Sequence, residues 1–295
     1  MSNALEPTVA KRRLIDQRQT YAANFGLIFR SASVFYAISG KNRSTTISFM
    51  NYWAVKRAID VSIVVTTRTM NGKVIERVLY NWESSSVVNH KVDLGAHNEG
   101  SIEIEIFSAQ NLVIPYPAIM AVYETAVGIS MVHSYARIYS PMEVEEGNSI
   151  EDGSESCASV RDAENVRSFV VMHNGYEPAP AQVIFACLTN SRGEKIQREH
   201  TLPALPPYGT ARLDTGAIFP EIRNFLAGEP GNLAVKFRLS RAFARLLVAN
   251  ETIDGKDLQV THSNFNYTDI QTNILDEHNS ATVCLAAIPD RDLYT

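Results

Sequence analysis

Cysteine is scarce in this chain: three occur among 295 residues, Cys157, Cys187 and Cys284. They are too few and too scattered for a disulfide framework or a zinc cluster. Cys187 and Cys284 sit inside apolar runs, where a buried free thiol is the plain reading. An excess of positive charge is missing as well. Lys and Arg number 27 against 32 Asp and Glu, a formal net charge of −5, which argues against a nucleic-acid binder driven by backbone phosphates. The basic cluster Lys11, Arg12 and Arg13 reads as a solvated face. Long hydrophobic runs are absent too. The longest, Leu112–Tyr123, is interrupted by Pro115 and Pro117 and is too short for a membrane span. The N-terminus lacks the apolar core of a signal peptide, so the expected address is a reducing cytoplasm. No Gly-rich phosphate loop, Walker lysine, Gly-x-Ser-x-Gly elbow or His-Glu-x-x-His helix occurs, so neither cofactor nor metal is expected.

What the chain does have is repetition. Residues of about 50–140 reappear, diverged but in order, at about 172–268. Met50 answers to Met172, Gly72 to Gly193, and Asp93-x-Gly95 to Asp214-x-Gly216. Gly100 answers to Gly231, Glu124-Thr125 to Glu251-Thr252, His133-Ser134 to His262-Ser263, and Tyr139 to Tyr267. Strand phase supports the match. Ile102, Ile104 and Ile106 alternate with Ser101, Glu103 and Glu105, one face for the core and one for water. Two residues after the matching glycine, Leu233, Val235, Phe237 and Leu239 repeat that phase, and a one-residue slip would turn the strand inside out.

Turn chemistry recurs in the same places. Asn71-Gly72 between Val61–Arg68 and Lys73–Tyr80 predicts a tight hairpin, because both central residues must accept positive φ. Asn190-Ser191-Arg192-Gly193 takes its place in the second copy, between Val183–Leu188 and Glu194–Arg198. Further strands are expected at Ile47–Tyr52, Ile119–Tyr123, Ile129–Tyr135, Val170–His173, Leu246–Ala249 and Leu258–Phe265. Seven or so short strands per repeat imply an all-β chain, a tandem of two related antiparallel β-sandwich domains of immunoglobulin-like build. The expected boundaries are an N-terminal extension at 1–20, a first sandwich at 21–142, an acidic linker at 143–165 and a second sandwich at 166–295. The apolar segment Tyr21–Ile38 and the tail strand Ala281–Ile288 have no counterpart within the repeat.

The repeated pairs are the first candidates for chemistry. Glu124 and Glu251 each end a strand, and a hairpin leads to a strand ending in His133 or His262. A Glu–His contact across that hairpin would serve as a structural clasp or as a metal or acid–base pair. A metal site normally gathers three protein ligands and each copy offers two, so the structural reading leads. The second candidates are the aromatics Tyr52, Trp53, Tyr116 and Tyr176 on loops, placed to stack on a sugar or a peptide. Trp53 serves equally well to cover the end of a core. The proline-bearing loops Ile114–Pro117 and Leu202–Tyr208 are where the copies differ.

The stretch from Val122-Tyr123-Glu124-Thr125 to Met131-Val132-His133-Ser134 has an acidic residue, a short turn, then an apolar strand closing on histidine. It recurs from Val248-Ala249-Asn250-Glu251 to Val260-Thr261-His262-Ser263. In this it resembles sensory-rhodopsin-transducer-like proteins, which implies a non-enzymatic β-sandwich that self-associates and contacts other proteins. This chain departs from them in being a tandem. The leading expectation is a non-catalytic binding or assembly protein that meets a protein or carbohydrate partner through its divergent loops. One alternative is a hydrolase or carbohydrate-active enzyme using Glu124, His133, Glu251 and His262 between the domains. The other is a phage or cell-surface structural module.

Overall fold

The computed structural model of the chain describes residues 29–81, 87–112, 117–140 and 150–265. The first half contains β1 (Phe29–Ile38), β2 (Ser44–Met50), α1 (Tyr52–Arg57), β3 (Ser62–Thr69), β4 (Val74–Asn81) and β5 (Val87–Lys91). It continues with β6 (Glu99–Ser108), β7 (Ile119–Glu124), β8 (Ile129–His133) and β9 (Ala136–Ile138). The second half contains β10 (Ile150–Val160), β11 (Val166–His173), β12 (Gln182–Thr189), β13 (Lys195–Leu202) and β14 (Thr210–Asp214). After it come α2 (Thr215–Ile218), α3 (Ile222–Leu226), β15 (Gly231–Ser240), β16 (Ala242–Ala244), β17 (Leu247–Thr252), β18 (Leu258–His262) and β19 (Asn264–Phe265).

These strands form antiparallel sheets in a repeated order. In the first half one sheet runs β9-β1-β6-β3-β4 and the other β5-β2-β7-β8; in the second half β19-β10-β15-β12-β13 and β14-β11-β17-β18 follow the same sequence of positions. The short strand β16 adds itself to β9, so the second half lends a strand to the first. Both anticipated hairpins form, but the first does not use the expected turn: Gly72 alone of its central pair has positive φ, and its N–H donates to the Thr69 carbonyl at 2.9 Å. Gly72 closes the β3–β4 turn at φ +77°, and Gly193 closes the β12–β13 turn at +79°. Asn190 holds the longer turn, its Oδ1 accepting from the N–H groups of Arg192 and Glu194, each at 3.0 Å.

Several expectations are corrected. The stretch 143–165 contains β10, which pairs with β15 along most of its length and so occupies the place that β1 holds beside β6. Segment 29–38 therefore has a counterpart. Its sequence, Ile-Glu-Asp-Gly-Ser-Glu-Ser-Cys-Ala-Ser-Val, carries no apolar alternation to announce it. The strand expected through Tyr52 ends at Met50, and Asn51 caps α1 by accepting from the Ala54 N–H at 3.0 Å. Met50 is exposed while Met172 is fully buried, so this matched pair does not share an environment. Cys187 is half-buried and free. The extension 1–20, Tyr116, the tail strand Ala281–Ile288 and Cys284 lie outside the described residues.

The halves also share a core. Along β11, Phe169 and Val171 pack with the first half's interior of Phe35, Ile47, Ile104 and Tyr123. The alternate residues Val170 and Met172 pack with Ile184, Leu188, Phe219 and Val235 of the second. On β17, Leu247 and Ala249 face one core and Val248 the other. The sheet β14-β11-β17-β18 is thus a wall used on both sides, which is why Phe169–Met172 is an unbroken apolar run rather than an alternating one.

The polar face of β6 departs furthest from expectation. Glu103 is 1% exposed and Ser101 is buried, so this face does not meet water. Arg30 and Arg68 bind Glu103 at 2.7 and 2.8 Å, and Arg30 also reaches Glu105 at 2.8 Å. Burial pushes the Glu103 carboxyl up, against the opposing pull of Arg68 and Arg30. The ring of Tyr208 lies 4.4 Å from the Arg68 guanidinium carbon. The loop Leu202–Tyr208 therefore packs on the first half. Gly72 admits it: a Cβ there would stand 2.2 Å from the Pro207 carbonyl oxygen.

Because Phe169 belongs to the shared wall, Phe169→Ala is expected to destabilise the protein by about 3–5 kcal/mol. Both halves should unfold together. Urea titrations followed by tryptophan fluorescence, which reports Trp53 and Trp82 in the first half of the sequence, and by far-UV circular dichroism should give coincident transitions. Separate transitions would contradict a shared core.

Candidate functional site

The aromatic pair at the start of α1 borders the cavity of interest. Trp53 is 2% exposed, and its indole N–H donates to the Leu112 carbonyl at 3.1 Å. It covers the core end, the plainer of the two readings made for it. Tyr52 stands edge-on to it at 6.3 Å, half-buried. Opposite, the entry to β7 is pinned by Ser134, whose hydroxyl donates to the Pro117 carbonyl at 2.5 Å while its N–H donates to the Ile119 carbonyl at 3.0 Å. Tyr52, Trp53, Pro117, Ala118, Ile119, Met120, His133 and Ser134 line a cavity of about 590 Å³. Its walls are aromatic and hydrocarbon apart from the Tyr52 phenol, His133 and Ser134.

The cavity continues onto an apolar sheet face. Residues two apart on a strand share a side, so Ile129, Met131 and His133 of β8 point the same way. That way is outward: Met131 is 57% exposed and Ile129 is exposed too, while Ser130 and Val132 are buried. The apolar row that ends in His133 therefore faces solvent rather than the core. Met120 stands opposite His133 and Val122 opposite Met131. Met50 and Val87, paired across β2 and β5, extend the exposed apolar surface.

The Glu–His contact across each hairpin is not made. The β7–β8 register places Glu124 opposite Ile129 and His133 opposite Met120. Glu251 stands opposite Leu258, and His262 opposite Leu247. Four strand residues, about 13 Å, separate each carboxylate from its histidine. The carboxylates have also diverged. Glu124 is exposed and accepts from the Ser44 hydroxyl at 3.0 Å. Glu251, 2% exposed, binds Arg43 at 2.5 Å and both Arg167 and Arg212 at 3.2 Å. Burial alone would raise its pKa, but Arg43 and Arg212 overcome that and hold it below the usual carboxylate range. Since Arg43 lies between β1 and β2, Glu251 ties the halves together.

The histidines meet each other instead. β8 and β18 lie side by side, with the Val260 N–H donating to the Ser130 hydroxyl at 2.8 Å. The Nε2 atoms of His133 and His262 are 2.8 Å apart, with ring planes at 83°. His133 Nδ1 lies 3.0 Å from the Ser134 carbonyl oxygen and His262 Nδ1 lies 2.7 Å from that of Ser263. Burial lowers the pKa of His262, with His133 and Arg245 adding to the fall and the Ser263 carbonyl opposing it. Tyr176 is elsewhere, half-buried with the Arg241 guanidinium carbon 5.9 Å from its ring centre. Among the described residues no three His, Cys, Asp or Glu side chains converge as a metal cluster, and no helix is long and apolar enough to cross a membrane.

A buried histidine escaped the sequence reading. The Tyr135 hydroxyl accepts from the Tyr36 N–H at 2.9 Å and lies 2.7 Å from His173 Nε2. The other ring nitrogen, Nδ1, lies 3.0 Å from the Thr210 hydroxyl, and a neutral imidazole satisfies both contacts, donating at one nitrogen and accepting at the other. This neutral chain crosses between the halves. Its signal in the sequence was slight, because His173 simply follows an apolar run.

No protein-family model matches the chain, and a comparison with characterised proteins finds no match. Among solved structures, the chain is similar to a calcium-binding mutant of Bacteroides uniformis β-glucuronidase 2, at 7% identity and a TM-score of 0.18. The similarity covers 79% of this chain and 26% of that one, so the chain spans about a quarter of that enzyme's length. It is also similar to the CupB6 tip adhesin of Pseudomonas aeruginosa, at 6% identity and a TM-score of 0.14, covering 79% of this chain and 88% of that one.

Burial of His173 sets an acid limit on stability. Folded, desolvation holds its pKa at about 3, against 6.5 unperturbed. Between those values the unfolded chain takes up a proton that the folded chain refuses. Stability from this group is therefore intact above about pH 6.5 and declines as pH falls toward about 3, by up to about 1.4 kcal/mol per pH unit. Urea midpoints measured from neutral pH to about pH 5 should fall more steeply in the wild type than in His173→Gln. Equal slopes would contradict a neutral buried imidazole.

Proposed function

We propose that this chain is a non-catalytic binding protein, two immunoglobulin-like sandwiches joined through a shared core. Its partner is a protein that docks on the outward face of the sheet β5-β2-β7-β8. One observation carries the reading: the cavity of about 590 Å³ opens beside Tyr52, Met120 and His133 and is continuous with exposed Ile129 and Met131. Exposed apolar area of this kind, next to a concave pocket, marks contact surfaces rather than ordinary solvated sheet. Hydrocarbon walls favour a large apolar side chain of a partner over a sugar, whose hydroxyls need several polar groups each. Methionines at positions 50, 120 and 131 give the surface a flexible lining suited to such an anchor.

Separation of each Glu from its His within the hairpin argues against an acid–base pair inside either half. The resemblance to sensory-rhodopsin-transducer-like proteins points the same way, toward a sandwich that contacts proteins.

A peptide library displayed on phage, selected against the purified chain, should enrich sequences sharing a large apolar residue. Binding of those peptides should weaken roughly tenfold or more in Tyr52→Ala and in Met131→Lys, the loss expected for one anchor. Sedimentation of the free protein runs alongside. A dimer dispersed by Met131→Lys would make a second copy the occupant of this face, in place of a different protein. Enriched peptides that bind both variants unchanged would overturn the reading, as would a glycan that competes at the cavity.

A further inference from the structure

His133, which borders the docking cavity, meets His262 across the seam between the two halves. Each Nδ1 faces a backbone carbonyl oxygen, Ser134 at 3.0 Å and Ser263 at 2.7 Å. A carbonyl only accepts, so Nδ1 carries the proton in both rings and the lone pair of each neutral imidazole sits on Nε2. Those two nitrogens stand 2.8 Å apart, with the ring planes at 83°. Two acceptors that close repel unless a proton or a metal ion bridges them. Nδ1–H bonded to a backbone carbonyl is also the outer-shell support that fixes the tautomer and ring orientation of a metal-bound histidine.

We propose that His133 and His262 form a metal site in which both Nε2 atoms ligate one divalent late first-row transition ion of the zinc type, joining the two halves of the chain. Imidazole nitrogen suits this class of ion, and calcium or magnesium would demand oxygen. With zinc–nitrogen bonds of about 2.0–2.1 Å, tetrahedral ligands stand about 3.3 Å apart. The rings must therefore separate by about half an ångström, which the exposed side of His133 permits. Two protein ligands leave further positions for water or for a donor group on a bound partner, as in an open site. The positive charge of Arg245, felt at His262, weakens the site, so its affinity falls well short of a four-ligand structural zinc.

The test uses full-length, tag-free protein stripped of metal with a chelator and titrated with Zn²⁺ near neutral pH. Calorimetry should show one ion per chain, and thermal unfolding should shift upward with equimolar Zn²⁺. Both effects should disappear in His133→Ala and in His262→Ala and persist in His97→Ala, a surface histidine outside the pair. In the wild type, ¹⁵N resonances of both Nε2 atoms should move on adding Zn²⁺, a readout that stands even if a variant fails to fold. The proposal is overturned by an absence of heat and of thermal shift in the wild type, or by binding that survives in either variant. It is equally overturned if the Nε2 resonances report a shared proton and ignore zinc.

Discussion

The structure depends on one strand that serves two interiors. Along β11, successive side chains enter different cores, Phe169 and Val171 one and Val170 and Met172 the other. Because the strand is buried on both sides, parting the halves would expose one whole apolar face of the wall to water, which is unfavourable. Phe169 adds aromatic contacts to the area term: Tyr36 meets its ring edge-on at 5.9 Å, and the Arg212 guanidinium carbon lies 3.6 Å from its centre. Such an interface resembles a domain interior more than a contact between domains on a linker. The chain is duplicated in strand order yet single in its packing.

That packing explains why equivalent residues have come to differ. Both β6 and β15 alternate apolar with polar positions, and on β15 the polar face does point outward, with Lys236 and Arg238 exposed. On β6 the same face is covered by the second half, so its carboxylates had to acquire partners. Arg30, Arg68 and the Tyr208 ring supply them. A buried ionic cluster of this kind gives little net stability, but removing one member strands a charge in the interior. It fixes how the halves fit more than how tightly they hold. Glu251 acts likewise through Arg43, whereas its equivalent Glu124 remains on the surface.

Local signals in the sequence were read well where local physics governs them. The Asn71-Gly72 and Asn190–Gly193 turns, the phase of β15, and the strands closing on His133 and His262 follow from turn chemistry and period-2 patterning. Three features were hidden because long-range contacts decide them. β10 has an acidic, serine-rich sequence and becomes a strand because β15 offers an unpaired edge. The Ser101–Glu105 face reads as solvated because nothing nearby in sequence shows that Tyr208 will lie over it. The outward direction of Ile129, Met131 and His133 was hidden because apolar alternation marks a face without saying which way it points; Ser130 and Val132 are the inward residues. Of the site, Tyr52, Trp53 and His133 were each legible singly. Their convergence on one cavity was not, since it requires α1 to fold against the start of β7.

The same long-range geometry brings the two histidines together. Within each hairpin, register holds glutamate and histidine about 13 Å apart, so neither copy alone assembles a site. Placing β8 beside β18 lets a residue in one copy meet its equivalent in the other, and His133 and His262 do so at Nε2. A duplicated chain that packs along equivalent edge strands turns one repeated side chain into a pair. The backbone carbonyls of Ser134 and Ser263, themselves equivalent, orient that pair alike. Repetition of His-Ser therefore matters less for either half than for the seam between them, where two equivalent imidazoles meet at Nε2 beside an open apolar cavity.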